Sequence, residues 1–156
     1  VRRIGVILVF CLTAFVSNAQ GGVMLELGGP TGYYSVNYVC TVQLPKSSAE
    51  IRLGYSTYRL FGIEGGFRPD VIVPFGLAYT IPGVKRLSVG AGLTFSGIQR
   101  YVGNDLKMDW STAGFESVSF RFLMKEHFTG NLTAYLLNEP QKPWRAWGGL
   151  ALTYLF

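Results

Sequence analysis

The chain has 156 residues, of which 49% are hydrophobic and only 15% charged, with 20 glycines and a formal net charge of +5. Charges this sparse make a poor surface for a soluble domain of this size, and a positive balance so small and dispersed gives no footing for a nucleic-acid reader. After the first sixteen residues no apolar run approaches the ~20 residues of a spanning helix, so the apolar content is broken up as alternating strands would break it.

Arg2 and Arg3 precede an apolar run from Ile4 to Val16, and Ser17-Asn18-Ala19 supplies small residues at the third and first positions before a cut. This pattern predicts a secretory signal peptide over residues 1–19 and a single β-barrel domain over residues 20–156. Phe10 is too bulky to precede a lipidated cysteine at Cys11, and the apolar run continues past it. Once the leader is gone Cys40 is the sole cysteine, which rules out an intramolecular disulfide.

Beyond the leader the chain divides into eight segments of period two, the spacing that puts alternate side chains on opposite faces of a strand. The first, Val23 to Gly29, sets Val23, Leu25 and Leu27 against Glu26 and Gly28, and Gly29-Pro30-Thr31-Gly32 makes a tight connection. In the second, Tyr34, Val36, Tyr38, Cys40, Val42 and Leu44 alternate with Ser35, Asn37, Val39, Thr41 and Gln43. The third sets Ile51, Leu53 and Tyr55 against Arg52, Gly54 and Ser56. The fourth, Val71 to Thr80, contains Pro74, which lacks an N–H and predicts a bulge or a gap in the ladder. The fifth runs from Leu87 to Phe95 and the sixth from Ser117 to Phe122. The seventh spans Phe128 to Leu137, and the eighth begins near Arg145 and ends at Phe156.

The connections alternate in length: short turns follow segments two, four and six, and longer loops are expected near Tyr58–Asp70 and Ser96–Gly114. Membrane barrels have short periplasmic turns and longer external loops, which places both termini in the periplasm. Face polarity chooses between a soluble and a membrane barrel. With the apolar faces inside, the outer surface would be mostly Gly, Ser, Thr and Ala. Turned outward, Val36, Tyr38, Val42, Leu53, Val73, Val89, Phe120 and Leu152 meet lipid, and small polar residues fill a narrow lumen. Tyr33, Tyr34, Tyr55, Tyr58, Phe95, Trp110, Trp144 and Trp147 fall near one set of strand ends and Tyr79, Phe122, Phe128, Tyr154 and Phe156 near the other. Aromatic rings gather at both interfaces of a bilayer in this way.

The last strand, with Leu150, Leu152, Tyr154 and Phe156 at alternate positions, resembles the C-terminal signature of Gram-negative outer-membrane barrels. Along its length the chain after the leader is similar to small outer-membrane barrels of the OmpX and OmpW type. The resemblance implies an all-β, eight-stranded antiparallel up-and-down transmembrane barrel in the bacterial outer membrane. It also implies outer-membrane lipid as its surroundings and engagement of the outer-membrane assembly machinery through the strand ending at Phe156.

Candidate chemistry is sparse. His127 is the only histidine, and it lies in an expected turn with Thr129, not a serine, two positions on, so the His–Ser pair of lipid A deacylases is missing. No metal, cofactor or catalytic set is expected. Glu26, Arg52 and Arg121 are expected to face the lumen at one depth in the periplasmic half, one carboxylate between two guanidiniums, because charge in a narrow barrel needs a partner. Arg59, Arg68, Arg100, Lys107, Lys142 and Arg145 fall in the expected external loops, where they could meet lipopolysaccharide phosphates. The function expected is non-enzymatic: a surface barrel with a structural, adhesive or partner-binding role, or alternatively a narrow conduit for small or apolar solutes.

Overall fold

The computed structural model describes residues 19–57, 71–102, 105–138 and 144–156. Eight strands follow in chain order: β1 (Ala19–Gly28), β2 (Tyr34–Gln43), β3 (Ser48–Tyr55), β4 (Val71–Thr80), β5 (Leu87–Val102), β6 (Asp105–Met124), β7 (Phe128–Asn138) and β8 (Arg145–Leu155). Each pairs antiparallel with its chain neighbours, and β8 returns to β1 to close the barrel. Closure extends to the last residue, whose N–H donates to the Gly21 carbonyl at 2.9 Å. An apolar strand ending on Phe156 is therefore no open edge, because its backbone groups are paired.

The two faces are sorted as the alternation predicts. Leu25, Val36, Tyr38, Leu53, Phe75, Val89, Val118, Phe120, Leu132 and Leu152 are exposed on the outside. Ser35, Asn37, Thr41, Ser48, Thr80, Ser88, Thr94, Thr133 and Thr153 are buried inside. Inside, hydroxyls pair across the lumen wall, Ser48 with Thr80 and Ser119 with Thr133, each at 2.8 Å. A small apolar cluster of Met24, Val39 and Ala151 interrupts this polar lining.

Pro74 produces a gap and not a bulge. Ile72 and Ser56 exchange both backbone bonds at 2.9 Å, so Pro74, two residues on, points the same way toward Gly54. It has no N–H to give. The β3–β4 ladder accordingly stops at Leu53↔Phe75 and resumes as an isolated bridge at Ser56↔Ile72, in unchanged register.

Three boundaries differ from the sequence reading, and the first is that of β3, which starts at Ser48, three residues before the expected Ile51. The expected loop over residues 96–114 is instead a long hairpin, with β5 and β6 paired out to Val102↔Asp105. Ile98, Tyr101, Val102 and Trp110 favour strand, and the Gln, Arg, Lys and Asp among them obscure the alternation. β1 starts at Ala19, four residues before the expected Val23, and so shifts the place of everything on it. The expected loop near Tyr58–Asp70 and the leader up to residue 18 lie outside the described residues.

Candidate functional site in the barrel lumen

One hydrogen-bonded row across four strands builds the centre of the lumen. Arg52 of β3 pairs with Gly76 of β4, Gly76 with Gly92 of β5, and Gly92 with Phe115 of β6. All four face inward, so two large side chains flank two glycines and lean over them. The Arg52 guanidinium lies 5.1 Å from the Phe115 ring centre, close enough for a cation–π contact. A Cβ on Gly76 would come within 2.6 Å of Arg52 Nε, and one on Gly92 within 2.4 Å of Phe115 and 2.2 Å of the Phe75 carbonyl oxygen. Gly92→Ala is therefore expected to cost about 1–3 kcal/mol through overpacking, seen as a lower urea midpoint in lipid vesicles. An unchanged midpoint would mean that the row packs otherwise.

Tyr135 of β7 completes the group from the far wall. Its hydroxyl accepts from Arg52 Nη1 at 2.9 Å and donates to Glu26 Oε1. Arg52 Nη1 and Glu26 Oε1 are themselves 4.0 Å apart, an ion pair with the phenol set between its ends. The Phe115 and Tyr135 rings meet edge to face at 5.7 Å. Behind Glu26, Asn37 Nδ2 donates to Ser35 Oγ at 2.8 Å, and Ser35 Oγ donates to Glu26 Oε2 at 3.4 Å. Glu26, Ser35 and Asn37 are at most 2% exposed, so the chain of bonds from Asn37 to Arg52 runs through the closed interior. It links β1, β2, β3 and β7.

The connection between β1 and β2 covers this group. Gly29–Thr31 is a single 3-10 turn in which Gly29 and Thr31 are buried, and it reaches over the lumen to β4, β7 and β8. Gly28 and Gly29 take φ of 77° and 78°, the left-handed region that glycine enters without strain. A Cβ on Gly29 would stand 2.6 Å from the Glu26 carboxyl carbon. The turn closes against Glu26 because glycine is there.

Arg121 stands apart from this group. It lines the same cavity as Glu50, and both are half-buried toward the end of the barrel that carries the termini. Glu26 instead lies two residues from the opposite end of β1. The single depth expected for Glu26, Arg52 and Arg121 is thus corrected, as is the carboxylate between two guanidiniums. The cause is the early start of β1, which moves Glu26 from the beginning of its strand to its end. Two carboxylates and two guanidiniums balance along the lumen. Among their side chains remains a cavity of about 20 Å³ bordered by Ser117, Asn131 and Thr133, room for roughly one water.

Glu50, Phe115 and Tyr135 went unnoticed in the sequence. Glu50 and Phe115 lie just before the expected starts of segments three and six, and extending the alternation by two residues would have put both on the lumen face. Tyr135 shares a face with Thr129, Asn131 and Thr133, and that parity was the available signal. Of the basic residues proposed for lipopolysaccharide, Arg59, Arg68 and Lys142 fall outside the described residues. Arg100 and Lys107 are cross-strand partners in the long hairpin, and Arg145 opens β8 at the same end of the barrel. His127 is exposed in the β6–β7 turn, with Nδ1 3.2 Å from the Leu155 carbonyl oxygen.

A closed eight-stranded up-and-down barrel with apolar side chains outside and a polar, charge-paired interior has the architecture of the transmembrane type. Among solved structures the chain is similar to the N-terminal β-barrel domain of Pseudomonas aeruginosa OprF, with a TM-score of 0.55 and 11% identity over 88% of this chain and 96% of that one. It also matches Neisserial surface protein A, at a TM-score of 0.49 and 8% identity, over 88% of this chain and 96% of that one. At these identities the likeness is one of fold. No family profile matches the chain, and no curated protein does.

Proposed function

We propose that this chain is an integral outer-membrane barrel, exported behind the leader of residues 1–19, that serves a non-catalytic structural, adhesive or partner-binding role at the cell surface and does not conduct. The apolar exterior supports the membrane, since the same side chains in water would form one continuous sticky surface. The filled lumen carries the rest of the reading. Arg52, Phe115, Tyr135 and Glu26 span the interior from wall to wall, and the Gly29–Thr31 turn lies over them. Barrels of eight strands are in general just wide enough for their own side chains. Arg100, Lys107 and Arg145 at the covered end suit the phosphates of lipopolysaccharide, and the strand ending at Phe156 suits the assembly machinery.

Purified protein in planar bilayers is expected to give no steady conductance. A small-residue double variant, Arg52→Ser/Phe115→Ser, is expected to open a measurable one if it remains folded. Steady conductance of the unaltered protein would overturn the reading in favour of a conduit.

A further inference from the structure

Charge is almost absent from the outside of the barrel between its turns. Among the described residues Glu116 is the one charged side chain on the outward face of the strands between the two aromatic levels. It is exposed, and it makes no hydrogen bond or ion pair with another described residue. On β6 it stands six residues from Trp110 on one side and six from Phe122 on the other, both exposed rings. At ~3.3 Å per residue and a ~45° tilt this is about 14 Å from each level. Its cross-strand partner on β5 is Ala91, the middle of the outward run Leu87, Val89, Ala91, Leu93 and Phe95. Both strands therefore put the carboxylate near the middle of the apolar belt.

The surface around it is low. Glu116 faces Ala91 across one ladder and Leu136 across the other, with Gly114 two residues along its own strand and Ala134 diagonally on β7. Small side chains on a lipid-facing surface let another backbone approach closely. The nearest outward polar groups are Thr112 and Asn138, which carry no charge.

We propose that this patch is a lateral docking site for a membrane-embedded protein segment that carries a lysine or arginine at mid-depth. The inference rests on the membrane reading above. A carboxylate in hydrocarbon is costly unless something pairs with it, and ionisable groups at that depth mark contacts or pathways. Lipid headgroup amines are too far away. A second copy of this chain brings no suitable cation among the described residues: Arg52 and Arg121 line the lumen cavity, Arg100 and Lys107 lie beyond Trp110 in the long hairpin, Arg145 opens β8, and Lys46, Lys85, Arg86 and Lys125 sit in end turns or beyond strand ends. Charge complementarity thus selects a different, cationic partner, and the small residues give it room.

The test uses the full protein in phosphatidylcholine vesicles with synthetic membrane-spanning helices of leucine and alanine as probes. One helix carries a single central lysine and its control a central leucine, and association is read by energy transfer. The lysine helix is expected to associate about tenfold more tightly than the control, and the preference is expected to vanish in both Glu116→Gln and Glu116→Leu. Equal association of the two helices, or a preference that survives Glu116→Gln, overturns the proposal. Glu116-dependent pairing of the protein with itself, without preference for the lysine helix, overturns it in favour of a second copy. Quenching of a label at Val118 by brominated lipid separates the two readings: without quenching the membrane reading falls, and with it an absent preference counts against the docking site alone.

Discussion

Replacing Arg52 with methionine is expected to destabilise the barrel by about 3–5 kcal/mol, the usual cost of stranding one member of a buried ion pair. Methionine keeps much of the volume and the contact with Phe115, so the loss falls on electrostatics and hydrogen bonding. Glu26 would keep Tyr135 and Ser35 but lose the positive charge 4.0 Å away. Tyr135 would lose the donor that its oxygen now accepts. A second variant, Glu26→Gln in the Arg52→Met background, removes the orphaned charge and is expected to recover a large part of the loss. Urea unfolding of the three variants and the parent in lipid vesicles measures the coupling directly. If Arg52→Met alone leaves the midpoint unchanged, the Arg52–Tyr135–Glu26 group does not hold the walls together.

The second large effect concerns the outer face. Leu25 is 55% exposed between Val23 and Leu27 on the outward face of β1 and pairs with Val36 and Leu152, both exposed as well. Leu25→Arg is expected to cost about 2–4 kcal/mol in a bilayer, as for a guanidinium at the midplane of a membrane barrel. Trp110→Arg, at the outer aromatic level of β6, is expected to cost only ~0–1 kcal/mol, because an arginine near the interface reaches the headgroups. The depth dependence is the decisive feature. A soluble barrel would tolerate both changes about equally. A spin label at position 25 gives a second readout: shielding from lipid-dissolved oxygen together with access to water-soluble quenchers would sink the assignment of this face to lipid.

The long β5–β6 hairpin, Glu116 and the start of β1 show where the alternation was legible and where it failed. Between the aromatic levels most strands announce themselves, since every second residue must be apolar to face outward and small or polar to fit inside. The fourth strand was placed from Val71 to Thr80, its observed bounds. Beyond the belt the constraint relaxes, and residues 96–114 can mix charge with strand formers while the ladder continues unbroken. Glu116 hides for a different reason: inside the belt, a charge on the outward face contradicts the rule that finds strands, so the sixth segment appears to begin at Ser117.

The alternation alone carries the architecture. A period of two over eight segments, with one apolar face and one of small polar residues, leaves a closed barrel as the arrangement that pairs every edge. It also determined that Glu26, Arg52 and Arg121 face inward, because parity along a strand fixes the face whatever the neighbours are. Which of them meet was decided only by the tertiary structure. Contact across a lumen depends on where each strand begins, how far its register is staggered against the next, and how the strands tilt. None of these is encoded in the parity of a single strand. A four-residue change in the start of β1 carried Glu26 to the covered end of the barrel, to Tyr135 and Arg52 and away from Arg121.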